Sequence, residues 1–183
     1  MFLSTPYGKK DADLLFNLGV EAFKIASGQI VEPHFLAYVA SMGKPMIVST
    51  GMATLAEVDQ AVGVIGSARP GGDAPQWSLP PLSLLQCTTN YPSPIEDANL
   101  ASIPMMARVF DLPVGYSDHT EDEVASVVAV SLGAEIIEKH FTLDHALPGP
   151  DQSSSADPAQ FKRLVNAVQK AKKCLGKPLK RPS

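Results

Sequence analysis

The chain has 183 residues, 45% of them hydrophobic and 19% charged, which is ordinary globular material with enough apolar side chains for one sizeable core. A formal net charge of -4 offers no footprint for nucleic acid, and no stretch is apolar for the length of a membrane span. Two cysteines, Cys87 and Cys174, make no disulfide framework and the amino terminus lacks the basic-then-apolar order of a signal peptide, so a cytoplasmic protein is expected.

Residues 1–5 read as a short apolar strand that closes at the turn Pro6-Tyr7-Gly8. An amphipathic helix over 10–18 follows and stops at Gly19. Residues 22–26, AFKIA, form the next strand and lead into Ser27-Gly28-Gln29. Lysine is rarely buried in a strand without a partner, so Lys24 either faces water at an edge or meets an anion inside a cleft. The pattern then repeats, with a helix over 33–42, a turn at Gly43-Lys44-Pro45, and a strand over 46–49. Thr54 and Glu57 have the spacing of a capping box for a helix over 55–65. A Gly/Pro-rich loop holding Trp77, expected on the floor of the domain, precedes a strand over 82–87, the polar loop Thr88-Thr89-Asn90-Tyr91-Pro92, and a helix over 99–110. Met105 and Met106 in that helix read as core packing.

Residues 112–151 carry the chemistry. Strands over 113–117 and 135–140 flank a helix over 121–132, the order of a βαβ unit with parallel neighbours. Side chains alternate along a strand, so Ser117 with His119 and Glu138 with His140 share faces, and both imidazoles can emerge at the carboxyl edge of the sheet. Two imidazoles with carboxylate support from Asp118 or Glu138 suit a divalent metal; Glu138-Lys139 can equally be an ordinary barrel ion pair. The stiff PGPD turn holds Asp151 over the strand ends, within reach of a substrate hydroxyl or the metal. Asp157 caps a final helix that has Pro158 in its first turn and runs to Cys174. Residues 1–176 therefore form one domain, and residues 177–183 a basic, frayed tail. His34, at a helix start, reads as a surface residue, while His145 is open to either a surface or a site reading.

Every cluster of small polar residues falls just after a strand: Ser4-Thr5, Ser27-Gly28, Ser49-Thr50-Gly51, the Thr88 loop, Ser117 to His119, and His140 to Thr142. Glycines and hydroxyls at successive strand ends suit an oxyanion such as phosphate or carboxylate. The fold class is α/β, and the strand–helix alternation matches an incomplete (β/α)8 TIM-type barrel with about six of eight units, two being absent at the front.

The motifs FLSTPYG, FKIASG, GKPMIVSTGMATLAEV, LLQCTTNYPSPIEDANL, VGYSDHT, GAEIIEKHFTLD and PGPD occur in the order in which they stand in the sialic acid synthases, meaning the N-acetylneuraminate synthases and the related legionaminate and pseudaminate synthases. The chain resembles that family over nearly its whole length. The resemblance implies condensation of phosphoenolpyruvate with an N-acetylated amino sugar such as N-acetylmannosamine, with release of phosphate and use of Mn²⁺ or Mg²⁺. It implies His119 and His140 as metal ligands, and Lys24, Ser27, Ser49, Thr89 and Ser117, with Thr5 beside them, as holders of phosphoenolpyruvate. Tyr91 and Asp151 correspond to positions that contact the sugar. Full-length members are expected to be homodimers.

Departures from that pattern matter. After KIASG the family usually carries a catalytic carboxylate, and here Gln29 stands there, unable to act as a base. Gln152 stands where many members have histidine. The first two barrel strands, with a glutamate, an asparagine and a second substrate-binding lysine, are expected to be missing. So is the small C-terminal antifreeze-like domain that places an arginine over the partner's sugar site. The chain alone is therefore expected to turn over little, and its open strand edges invite association with another chain. Two other readings are a non-catalytic remnant or assembly module that needs a partner, and a metal-dependent hydrolase on a similar barrel. The hydrolase is disfavoured because two histidines without a third strong protein ligand leave much of a metal to the substrates.

Overall fold

The computed structural model describes residues 1–71 and 80–176. Five strands, β1 (Phe23–Ile25), β2 (Met46–Ser49), β3 (Leu82–Cys87), β4 (Val114–Asp118) and β5 (Ile137–Lys139), pair in chain order, and every pairing is parallel. Parallel neighbours require a crossover, and the crossovers here are helices. The helices are α1 (Lys9–Asn17), α2 (Pro33–Ser41), α3 (Leu55–Ala68), α4 (Ser102–Phe110), α5 (Val124–Ser131) and α6 (Pro158–Leu175). The result is half of a barrel. Alternation along each strand sends one set of side chains outward, where Phe23, Ile25, Val48, Leu84, Val114 and Tyr116 pack with helix residues such as Leu36, Val58, Ile65 and Ala129. The other set, Lys24 and Ser117 among them, faces the hollow of the half-barrel. Among the described residues no helix is long and apolar enough to cross a membrane.

The amino-terminal strand expected over residues 1–5 is reduced to a single parallel bridge between Ser4 and Phe23, with the Lys24 amide donating to the Ser4 carbonyl at 3.1 Å. A strand is made by its ladder, and Met1 and Phe2 remain exposed. The front unit of the six is thus α1 preceded by a bridge. The last strand is also shorter than expected, ending at Lys139, and Phe141 then bridges to Ala156.

Helix α5 begins at Val124 and not at residue 121. Asp118 Oδ1 accepts from the Thr120 amide and hydroxyl, and Asp122 Oδ1 accepts from the Val124 amide, so side chains take the backbone donors that an earlier helix start would have used. Similarly, a 3-10 turn at Ile95–Asp97 and a left-handed Asn99 (φ 45°) delay α4 to Ser102. Of the two methionines in α4, Met106 is buried and Met105 is 38% exposed, since successive helical positions face different ways. The capping box of Thr54 and Glu57 is present, and Asp157 with Gln160 forms a second one at the start of α6. Trp77 and the basic tail lie outside the described residues.

Two contacts lock β4 to its surroundings. The register sets Asp118 beside Lys139, and the two form a buried ion pair at 3.3 Å. Asp118 also accepts from Ser126 of α5 at 2.5 Å, and Lys139 donates to the Thr120 carbonyl. At Gly115 a Cβ would stand 2.5 Å from the Ile136 carbonyl oxygen and 2.7 Å from Leu85 Cδ2, so this position admits no side chain while the neighbouring chain segments stay where they are.

Candidate active site

A cavity of about 700 Å³ opens at the carboxyl edge of the strands. Thr5, Lys24, Ser27, Gln29, Ser49, Thr89, Tyr91, Ser117, His119, His140 and Asp151, the candidate catalytic, substrate and metal residues of the sequence, all border it. They fall into an anion-facing group and an imidazole group, separated by Ser117.

In the first group Lys24 resolves in favour of the cleft. Its Nζ donates to Ser49 Oγ at 2.8 Å and to the Ile25 carbonyl at 3.0 Å, and lies 3.6 Å from Glu138 Oε1. Burial lowers the pKa of its ammonium below the ordinary lysine value, and Glu138 is the largest influence in the other direction. Ser27 and Thr89 approach from the ends of β1 and β3, on either side of β2. They meet at Gly51, where a Cβ would lie 2.4 Å from Ser27 Oγ and 2.5 Å from Thr89 Oγ1. Gly51 is left-handed (φ 21°), so the hydroxyls crowd where only a hydrogen stands. Thr5 borders the same end of the cavity, and Ser117 sits on β4 opposite Cys87 of β3.

The second group is built on His119 and His140, whose ring centroids are 5.4 Å apart at an interplanar angle of 80°. Tyr91 lies against both, 4.0 Å from His119 and 5.1 Å from His140. His119 Nδ1 is 2.6 Å from the Thr88 carbonyl oxygen. A carbonyl only accepts, so Nδ1 carries the proton and Nε2 keeps its lone pair; burial, which lowers the pKa of His119, favours the same neutral form. Asp118, expected from its adjacency to support an imidazole, points instead into its own buried network with Thr120, Ser126 and Lys139. The reason is parity: Asp118 and His119 are consecutive, and consecutive side chains leave a strand on opposite faces.

A neutral imidazole whose far nitrogen is fixed by a backbone carbonyl is the usual state of a metal-ligating histidine; His119 is in that state, and the ring of His140 stands beside it as a second nitrogen donor of the kind a divalent ion takes. Among the described residues no group of three or more His, Cys, Asp or Glu side chains is gathered to hold a metal. Two protein ligands would leave the remaining positions of an ion to its ligands.

Gln29 lies in a short turn after β1 and is 5% exposed. Its Nε2 donates to the Pro6 carbonyl at 3.0 Å, and its Oε1 has no partner among the described residues. Asp151 borders the cavity at the start of the turn Gln152–Ser154, and Gln152 reaches away from it to accept from Thr142 Oγ1. His34 is exposed, and His145 sits outside the cavity with Nε2 3.7 Å from Asp157.

The cavity also holds residues that the sequence did not single out. Cys87, whose thiol pKa is raised by burial, stands 3.9 Å from His119 Nδ1, and Tyr7 and Glu32 line the wall. Glu138, which the sequence offered as support for an imidazole or as the ion-pair partner of Lys139, instead turns into the cavity toward Lys24 and Ser117, while Lys139 pairs with Asp118. Its shared parity with His140 was the available signal. The Thr88 carbonyl had none, because any residue type presents the same oxygen.

A parallel half-barrel with its polar groups gathered at the carboxyl edge places the chain among the TIM-barrel-like α/β domains. The profile of the NeuB family matches residues 1–180, and the chain belongs to that family. The N,N'-diacetyllegionaminic acid synthase of Legionella pneumophila is 42% identical over 182 residues, covering all of this chain and 50% of that protein. The N-acetylneuraminate-9-phosphate synthase of Mus musculus is 34% identical over 180 residues, covering 98% of this chain and 47% of that protein. The crystal structure of the N-acetylneuraminic acid (sialic acid) synthetase from Leptospira borgpetersenii, in complex with citrate, superimposes with a TM-score of 0.87 at 35% identity, covering 98% of this chain and 59% of that one. The chain therefore spans about half the length of the curated relatives it matches.

Proposed function

We propose that the cavity is the phosphoenolpyruvate-binding part of a synthase that condenses this acid with an N-acetylated amino sugar to give a sialic-acid-type nonulosonate and phosphate. In that reaction C3 of phosphoenolpyruvate bonds to the aldehyde carbon of the sugar, water supplies the new oxygen at C2, and the C2–O bond to phosphate breaks. One observation carries the reading: an ammonium, the hydroxyls of Ser49 and Ser117, and two imidazoles border a single cavity.

Lys24 supplies the cation for the phosphate or carboxylate, and Ser27, Ser49, Thr89 and Ser117 supply hydroxyl donors around it, with Thr5 beside them. Tyr91 packs its ring on both imidazoles, and with Asp151 it shapes the side of the cavity toward which the sugar is assigned. Gln29 can position a water or hydroxyl through Oε1, and it cannot take the proton. His119 and His140 would hold Mn²⁺ or Mg²⁺, which supplies Lewis-acid polarisation of the aldehyde oxygen when bound.

Calorimetric titration of the chain with phosphoenolpyruvate tests the assignment. Saturable binding that Lys24→Met abolishes supports it, and absence of binding, or binding indifferent to Lys24, sinks it. Phosphate release from phosphoenolpyruvate and N-acetylmannosamine in the presence of Mn²⁺ is expected to stay far below the ordinary enzymatic scale of about 1 s⁻¹, because Gln29 offers no base.

A further inference from the structure

Glu138 holds a place in the anion-facing group that a substrate oxygen would be expected to take. Its Oε1 accepts from Ser117 Oγ at 2.7 Å and lies 3.6 Å from Lys24 Nζ, so one carboxylate oxygen engages both a hydroxyl and the ammonium assigned to an incoming anion. The register pairs Ser117 with Glu138 directly across β4 and β5, which fixes the base of the side chain. The carboxylate end is less constrained: the Glu138 side chain is 39% exposed, whereas that of Lys24 is 13% exposed. The Ser117 hydroxyl has one proton and two acceptors within reach, Glu138 Oε1 and, at 3.3 Å, His119 Nε2. It can therefore exchange acceptors without leaving its place.

We propose that Glu138 is an internal, displaceable anion that occupies the Ser117–Lys24 end of the cavity until an oxygen of a phosphate or carboxylate ligand replaces it. The proposal rests on the reading of that end as an anion site. Physically, without Glu138 the Lys24 ammonium would keep only neutral partners, Ser49 Oγ and the Ile25 carbonyl, and a largely buried ammonium without a counter-charge is costly. The carboxylate keeps Ser117 and Lys24 in place, at the expense of affinity: a ligand has to break the Glu138 contacts and then sit near a freed negative charge. Glu138 thus tunes how tightly, and for what ligand charge, the site closes.

The test is a titration of the metal-free chain at pH 7 with inorganic phosphate and, separately, phosphoenolpyruvate. Glu138→Gln is expected to tighten both by about fivefold, the scale of one partly exposed charge contact, with the larger gain for the ligand of greater charge. Glu138→Ala is expected to tighten binding in the same direction, which separates lost charge from any hydrogen bond made by the new amide. Unchanged or weaker binding in both variants overturns the proposal. In the unaltered chain, phosphate saturation is expected to move the carboxylate carbon resonance of Glu138, assigned by its absence in Glu138→Gln; a resonance that stays put also overturns it. Ser117→Ala and Lys24→Met separate the two levels. If they leave phosphate binding untouched, the anion site itself is wrong; if they weaken it while Glu138→Gln does not tighten it, only the role of Glu138 fails.

Discussion

The ring of Tyr91 is stacked 4.0 Å from that of His119 at a tilt of 31°, while His119 itself is tied through Nδ1 to the Thr88 carbonyl. The imidazole is held on one face and at one nitrogen, and its Nε2 lone pair is left for a ligand. Burial pushes the Tyr91 hydroxyl pKa up to about 12, so the ring remains a neutral phenol across the physiological range.

That arrangement predicts the metal dependence. His119→Ala and His140→Ala should each weaken Mn²⁺ binding by about tenfold or more, read from the electron paramagnetic resonance signal of the free ion. Tyr91→Phe should retain the affinity and Tyr91→Ala should lower it, since packing of the ring, not its hydroxyl, orients His119. Equal affinity in all variants would remove the metal from this edge of the sheet.

The lowered pKa of Lys24 sets a pH window. Phosphoenolpyruvate affinity should fall as pH rises through that lowered value, before the ordinary lysine value of 10.5 is reached. The sign for folding is opposite. Between the two values the unfolded chain binds more protons, so stability attributable to Lys24 increases with pH there. Affinity measured from pH 7 to pH 10, beside thermal unfolding over the same range, checks both directions.

Gly51→Ala should damage the site more than the fold. A methyl at this position would stand 2.4 Å from Ser27 Oγ and 2.5 Å from Thr89 Oγ1, both at the rim of the cavity. We expect at least about a tenfold loss of phosphate affinity with helical circular dichroism retained, and a destabilisation of about 1–3 kcal/mol from overpacking and the left-handed backbone.

Asp118→Ala should cost about 3–5 kcal/mol in urea unfolding, because it leaves the buried Lys139 ammonium without its carboxylate. Adding Lys139→Met should recover part of the loss. If the single substitution proves mild, the pair contributes less to holding β4, β5 and α5 together than its burial indicates.

Gln29→Glu creates a buried carboxyl facing the Pro6 carbonyl, where no donor replaces the lost Nε2 contact. Its folded-state pKa should be raised, so stability should decline as pH rises from about 4 toward 7, by about 1–3 kcal/mol, whereas the unaltered chain shows no such decline from this position. Denaturant midpoints at both pH values report the effect.

The alternation of strands and helices was legible because each apolar run has the period of its element and each stop is marked by glycine, proline or a cap, as at Thr54 and Asp157. Residues 1–5 were over-read as a strand because extension depends on hydrogen-bond partners that local sequence does not encode. The gathering of Ser117, His119 and His140 at one edge was legible from strand parity, whereas Lys24 was open between an edge and a cleft until the structure placed it in the cavity. The supports of those groups were not: His119 leans on the carbonyl of Thr88, and Glu138 pairs with a lysine from a distant strand, both products of the way the sheet curves around its hollow.

Gly115 lies on the same strand as Ser117, below the rim, and the hydrogen it carries lets Ile136 come within contact of its backbone. The gap between the strands that end in the two histidines is therefore dictated from underneath. A chemist wishing to alter how far apart the imidazoles stand would do better to work at this floor position than at the rings, because thickening the floor by one carbon would splay everything mounted above it.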